Sequence, residues 1–355
     1  MAEFENEGKT DWISKAKGFG ILGIVAVHTI QRFSLSSHSL SNTATAGMYC
    51  VQLFFAISAY LTFVSLDKNK MPWTFKGYLK YMGHKLVRLV PVLYIAVLWH
   101  ILMSYPIIHG IVIENNSHVW KNTLYAVTFL NGFSYQYINP WLNWYIGDLV
   151  IFWVLAPFLF RWISTVKKSV WFFVLSMVVA WLSNLVLEGF GVDTSWYFYF
   201  WFPHQLPVLV IGMMFYQFQK SSFVTSKMSV LTLAFVVSTC MLLSFFLFST
   251  SPMELHVRYG LFLFVFAYLL FNYSGKWFNW LKLLGDNSYG IYLFHGCLLA
   301  VFDYAVNKYD ISKESIPNFI CYYVLLVLVS LAFAKTANLL FEKPFFKFMK
   351  RKFSI

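Results

Sequence analysis

Long apolar runs recur along the chain at short intervals, and this repetition constrains the fold more than any single motif. A bilayer core about 30 Å thick takes roughly 20 apolar helical residues to cross, and only helices or closed barrels satisfy every backbone hydrogen bond in hydrocarbon. Runs of that length lie at 16–33, 46–66, 89–110, 141–163, 169–187, 200–218, 228–249, 256–273, 285–305 and 317–341. Of the 355 residues, 59% are hydrophobic and only 12% charged, against about 25% charged in soluble domains. A soluble fold is excluded. The expected class is an all-α polytopic membrane protein, a bundle of about ten transmembrane helices. It forms a single unit over 1–355 with its membrane part at 16–341, and no fused soluble domain is expected.

The basic residues orient these spans. Lys and Arg divide between alternate ends of the runs, twenty on one side and five on the other. Because cytoplasmic loops are enriched in both residues, the two termini are expected in the cytoplasm. The net charge of +12 is thereby assigned to the inner membrane face, which makes the lipid bilayer a partner and leaves no nucleic acid expected. Cys50, Cys240, Cys297 and Cys321 sit in apolar stretches without metal-ligand spacing, so they read as small hydrophobes, and no metal is expected. Ala44-Thr45-Ala46 has the form of a signal cleavage site, yet Glu3, Glu5, Glu7 and Asp11 deny the leading segment the positive character of a signal.

Two longer connections stand out. The inner one, 67–88, is basic and amphipathic and is expected to lie as a helix along the membrane surface. The outer one, 111–140, holds an apolar stretch from Leu124 to Leu130 that is expected to dip into the interface. Trp141, Trp144, Tyr145, Trp196, Tyr197, Tyr199, Trp201 and His204 gather toward the outer side. They read as an interfacial aromatic belt, with stacking against sugar rings as the alternative.

An ionisable side chain at bilayer depth costs about 2.5 to 3.5 kcal/mol on insertion scales, so each one is a functional candidate. Lys17 and His28 lie in the first run, His100 in the third, Asp148 in the fourth, His295 in the ninth and Lys335 in the tenth. Eleven residues are close to three helical turns, so Lys17 and His28 share one helix face, roughly 16 Å apart along the axis. Snorkelling of Lys17 and simple packing of His28 are the alternatives. Gly18, Gly20 and Gly23 between them admit either a ligand or a neighbouring helix close to the backbone. Lys85 and Arg88, one turn apart before Pro91, suit a phosphate, with anionic lipid as the other reading.

Several segments resemble the acyltransferase 3 family of membrane-bound O-acyltransferases. Lys17 with His28 eleven residues on is similar to that family's first-span motif. Further similarities are Phe54-Phe55-Ala-Ile-Ser58-Ala59-Tyr60-Leu61, Lys85-x-x-Arg88 with Pro91, and Gly285-Asp-Asn-Ser288-Tyr289-Gly-Ile-Tyr292-Leu-Phe-His295. Lysine at position 17 resembles the fucose 4-O-acetylase-like branch. Departures are Ser14 in place of Asp, Ala59 in place of Gly, and Asp148 in the region where other members carry Glu.

The resemblance implies a multi-pass enzyme of the bacterial cytoplasmic (inner) membrane. It would move an acyl group, most often acetyl, from acetyl-CoA to a hydroxyl of a surface-polysaccharide or lipid-linked sugar. On that implication Lys17, Lys85 and Arg88 hold the phosphates of CoA, and His28 is the general base. Ser288, Tyr289 or His295 supplies an oxyanion donor. Asp148 either orients His28 or the acceptor, or makes a structural hydrogen bond. A transporter or flippase with a His/Asp proton relay is the competing reading, and a non-catalytic receptor a third.

Overall fold

The computed structural model describes residues 2–104, 117–133, 144–192, 200–221 and 252–353. Among them the chain is helical, without strands. In order, the helices are α1 (Ala2–Ile30), α2 (His38–Thr45), α3 (Cys50–Asn69), α4 (Phe75–Trp99), α5 (Ser117–Thr128), α6 (Trp144–Trp162) and α7 (Val166–Gly189). There follow α8 (Phe202–Lys220), α9 (Pro252–Tyr273), α10 (Asn279–Asp286), α11 (Ser288–Lys308), α12 (Ile316–Ala337) and α13 (Lys343–Phe353). Short π-helical turns follow α4 at His100–Ser104 and α12 at Asn338–Glu342.

Among the described residues, seven stretches are helices long and apolar enough to cross a membrane: Asp11–Ile30, His38–Asn69, Phe75–Leu102, Trp144–Trp162, Val166–Gly189, Ser288–Lys308 and Ile316–Arg351. The protein is therefore a multi-pass membrane protein. α8 and α9 are also helical over the expected runs 200–218 and 256–273, and the expected run 228–249 lies outside the described residues. α7 turns Trp171, Val174, Leu175, Val178, Trp181, Leu182 and Val186 outward. An apolar exterior of this kind is what lipid tails solvate.

Local chemistry sets the boundaries. Thr74 caps α4 by accepting from Gly77 N at 3.1 Å, and Thr165 caps α7 by accepting from Lys168 N at 3.2 Å. Such caps satisfy amides that the first helical turn leaves unpaired. The basic stretch expected as a surface helix is instead the first half of α4, continuous through Pro91 with the third span.

α1 and α10 pack backbone to backbone. A Cβ on Gly18 would lie 2.1 Å from Leu281 O, and one on Gly285 would lie 1.7 Å from Ser14 O. Glycine is thus required at both sites for backbone to touch backbone. Gly20 faces the Phe54 ring and Gly23 faces Cys50 and Gly47. The glycines of the first span thus serve close helix contacts.

Candidate active site

A cavity of about 1160 Å³ opens among α1, α3, α4, α6, α11 and the C-terminal segment. It is lined by six lysines and arginines, Lys17, Lys76, Lys80, Lys85, Arg88 and Lys350, against two carboxylates, Asp286 and Glu342. A cleft with one dominant sign between low-dielectric walls concentrates the opposite charge. This one is built for an anion.

The three residues expected to bind phosphates all reach it. Lys17 lines the wall from α1, within electrostatic range of Asp286, which also accepts a hydrogen bond from the Ser14 hydroxyl at 2.7 Å. Lys85 donates to Thr62 Oγ1 at 3.2 Å and lies over the rings of Tyr81 and Trp153, at 5.7 and 5.3 Å from their centroids. Arg88 is exposed to the cavity, with its guanidinium 5.4 Å from the Phe346 centroid. On α4 the spacing 77, 81, 85, 88 runs up a single helix face, which explains the amphipathic pattern of this basic stretch.

The late motif lies at the deeper end. Ser288 and Tyr289 open α11 and line the cavity. The Tyr289 hydroxyl donates to Leu89 O at 2.7 Å, which ties α11 to α4 beside Arg88. One turn further, Tyr292 lines the cavity with Tyr145 of α6, their centroids 5.6 Å apart. Tyr145 also shares a hydrogen bond with Ser58 at 2.9 Å. Beyond this pair of rings come the two histidines. The His295 ring is 5.9 Å from Tyr292 and 5.2 Å from His28.

Both imidazoles are held by local partners. His295 is 3% exposed, and its Nδ1 lies 3.1 Å from Ile291 O. A carbonyl oxygen only accepts, so the proton is on Nδ1 and Nε2 carries the lone pair. His28 Nδ1 lies 3.3 Å from Gln31 Oε1, an arrangement that likewise leaves Nε2 as the acceptor. His28 is half-buried and does not itself line the cavity. From the cavity wall the contacts run through Tyr292 to His295 and from there to His28.

Asp148 is placed apart from these groups. It is fully buried on α6 and does not line the cavity, and neither carboxylate oxygen has a hydrogen-bond partner among the described residues. The backbone at Gly147 and Asp148 packs instead against Gly132. His204, buried on α8, meets Ser183 at 3.3 Å, while Lys335 is exposed.

Other residues of the wall escaped sequence reasoning. Trp144 and Tyr145, grouped with an interfacial belt, are 8% and 9% exposed and face inward, so their part of that reading is corrected. Trp141, Trp196, Tyr197 and Tyr199 lie outside the described residues. Tyr81 and Trp153 are buried in the wall beside Lys85 and carry no special spacing. Glu342, Phe346 and Lys350 come from a segment near the C-terminus that reads only as basic.

The cations, the tyrosine tie and the paired histidines occupy the positions at which the sequence resembles one family along most of its length. A family model described as an acyltransferase domain matches residues 10–335. The chain belongs to the acyltransferase 3 family. As an acyltransferase 3 protein it is a membrane acyltransferase, acting with an acyl donor and an acceptor in a lipid environment. Neither a curated protein nor a solved structure matches the chain.

Proposed function

We propose that this acyltransferase takes an acetyl group from cytoplasmic acetyl-CoA and places it on a hydroxyl of a surface-polysaccharide or lipid-linked sugar, in the bacterial inner membrane. One observation carries the reading: a basic cavity whose wall at Tyr292 meets His295, which in turn packs against His28. The donor has a multiply charged end, a long neutral arm and a reactive thioester tip. Charged phosphates stay with Lys17, Lys85 and Arg88 by charge-assisted hydrogen bonds. The neutral arm then follows the face of α1 that runs from Lys17 past Ile24, both in the wall, toward His28 roughly 16 Å away.

In this reading His28 Nε2 accepts the proton of the sugar hydroxyl as its oxygen attacks the thioester carbonyl. A new C–O bond forms, the C–S bond breaks, and the thiolate leaving group takes the proton back from the imidazolium as CoA departs. Ser288, which is buried at the start of α11 and lines the cavity, lies two turns before His295 and contacts the donor's arm on its way to His28. His295 sits against His28 and holds its ring in place. Tyr289, whose proton is already committed to Leu89 O, fixes the wall that carries Arg88. Asp148 touches neither imidazole and takes no part in the proton transfer.

Purified His28→Ala protein should keep its affinity for CoA and lose transfer by about a hundredfold or more, the usual contribution of a general base. Full activity in that variant refutes the assignment. In cells, deleting the gene should lower the surface glycan's mass by one acetyl group per repeat. An unchanged mass refutes the acceptor class.

A further inference from the structure

The C-terminal helix contributes to the donor cavity, although it lies past residue 335, where the family match ends. After α12 the π-helical turn Asn338–Glu342 shifts the helical register. From there Glu342, Phe346 and Lys350 follow one another at intervals of four residues, on one face, and all three line the cavity. Phe346 lies against Arg88 of α4, and the two helices pack together. One turn on from Phe346 is Lys350, and one turn back from Arg88 is His84, beside Lys85 and also in the wall. Each step is about 6 Å.

Phe346 and Lys350, one turn apart on α13, thus bring an aromatic ring and an ammonium group to the same cavity wall as Lys85 and Arg88. In CoA the ribose next to the pyrophosphate carries both the adenine and a phosphate monoester on its 3′ oxygen, two groups that branch from one sugar. An aromatic face suits a purine, and an ammonium group on a flexible stem suits a phosphate. We propose that α13 forms the nucleotide subsite, with Phe346 stacking on the adenine ring and Lys350 holding the 3′-phosphate. This rests on the donor reading above. Membrane lipid offers the same phosphate chemistry to a basic amphipathic helix, so the test separates the two sources.

The test uses the full-length protein in a nonionic detergent free of phosphate, titrated calorimetrically with CoA and with 3′-dephospho-CoA. Lys350→Glu should weaken CoA about tenfold or more and leave dephospho-CoA within about twofold, because only one ligand carries the charge that the lysine meets. Lys350→Arg should restore the preference for CoA. Phe346→Ala should weaken both ligands by about tenfold, the scale of one lost base–aromatic stack. Equal effects of Lys350→Glu on both ligands, or no effect on either, overturn the proposal while leaving the donor reading intact. An effect of Lys350→Glu confined to vesicles containing phosphatidylglycerol assigns the lysine to lipid and also overturns it. Wild-type protein that binds neither ligand overturns the donor reading itself, and this inference with it.

Discussion

Single side chains at this site act mainly by fixing one another. The Tyr289 hydroxyl bonded to Leu89 O joins the late motif to the basic helix at the level of Arg88. Removing it with Tyr289→Phe should destabilise the protein by about 1 kcal/mol, the net worth of a typical buried hydrogen bond. Donor KM should rise several-fold while kcat changes little, because the lost contact positions the donor wall and leaves the reacting atoms alone. Steady-state kinetics in detergent separate the two parameters. The histidines illustrate how far residue chemistry could be anticipated. Lys17 and His28 fall on one face because eleven residues make nearly whole turns, and that arithmetic needs no partner. The meeting of His28 with His295, 267 positions along the chain, depends on how α1 and α11 pack. Asp148 looked available because a carboxylate at bilayer depth is rare, yet its helix turns it away from the cavity that Tyr145 and Trp153 line.

Among the elements, α1 and α10 carry the tightest constraint. Gly285→Ala places a methyl group 1.7 Å from Ser14 O unless the helices separate, and overpacking of this kind costs about 1 to 3 kcal/mol. The variant should unfold at a lower temperature and lose the Ser14–Asp286 hydrogen bond at the cavity edge. Thermal unfolding of the purified variant measures the first effect, and reduced donor affinity the second. Span positions were legible because lipid exposure demands long apolar runs whatever their neighbours. The role of α4 was not. An amphipathic basic helix has the same pattern whether its charged face meets lipid headgroups or an internal cavity, and only the packing of α4 against α6 and α11 decides between them. For the same reason Trp144 and Tyr145 resembled a belt, since aromatic residues near a helix end are equally frequent at interfaces and in cores.

For the molecule as a whole, a basic cavity predicts a dependence on ions and ligand that no single helix carries. Acetyl-CoA at about 100 times its Kd should stabilise the fold by about 2.7 kcal/mol through mass action, seen as a raised unfolding temperature. Lys85→Ala together with Arg88→Ala should abolish most of that shift. Raising the salt from about 0.1 M to 1 M shortens the screening length from about 10 Å to 3 Å, so donor affinity should fall steeply with ionic strength while the affinity of a neutral pantetheine fragment stays nearly constant. The rings beside His295 have a separate consequence. A cell depends on its membrane as an electrical insulator, and a protein with a water-filled passage running right through it would drain the stored proton gradient. Lining the cavity ring to ring beside His295, Tyr292 and Tyr145 put aromatic surface, along which a neutral arm slides and which hydrated ions shun, where a soluble metabolite reaches deepest into the bilayer.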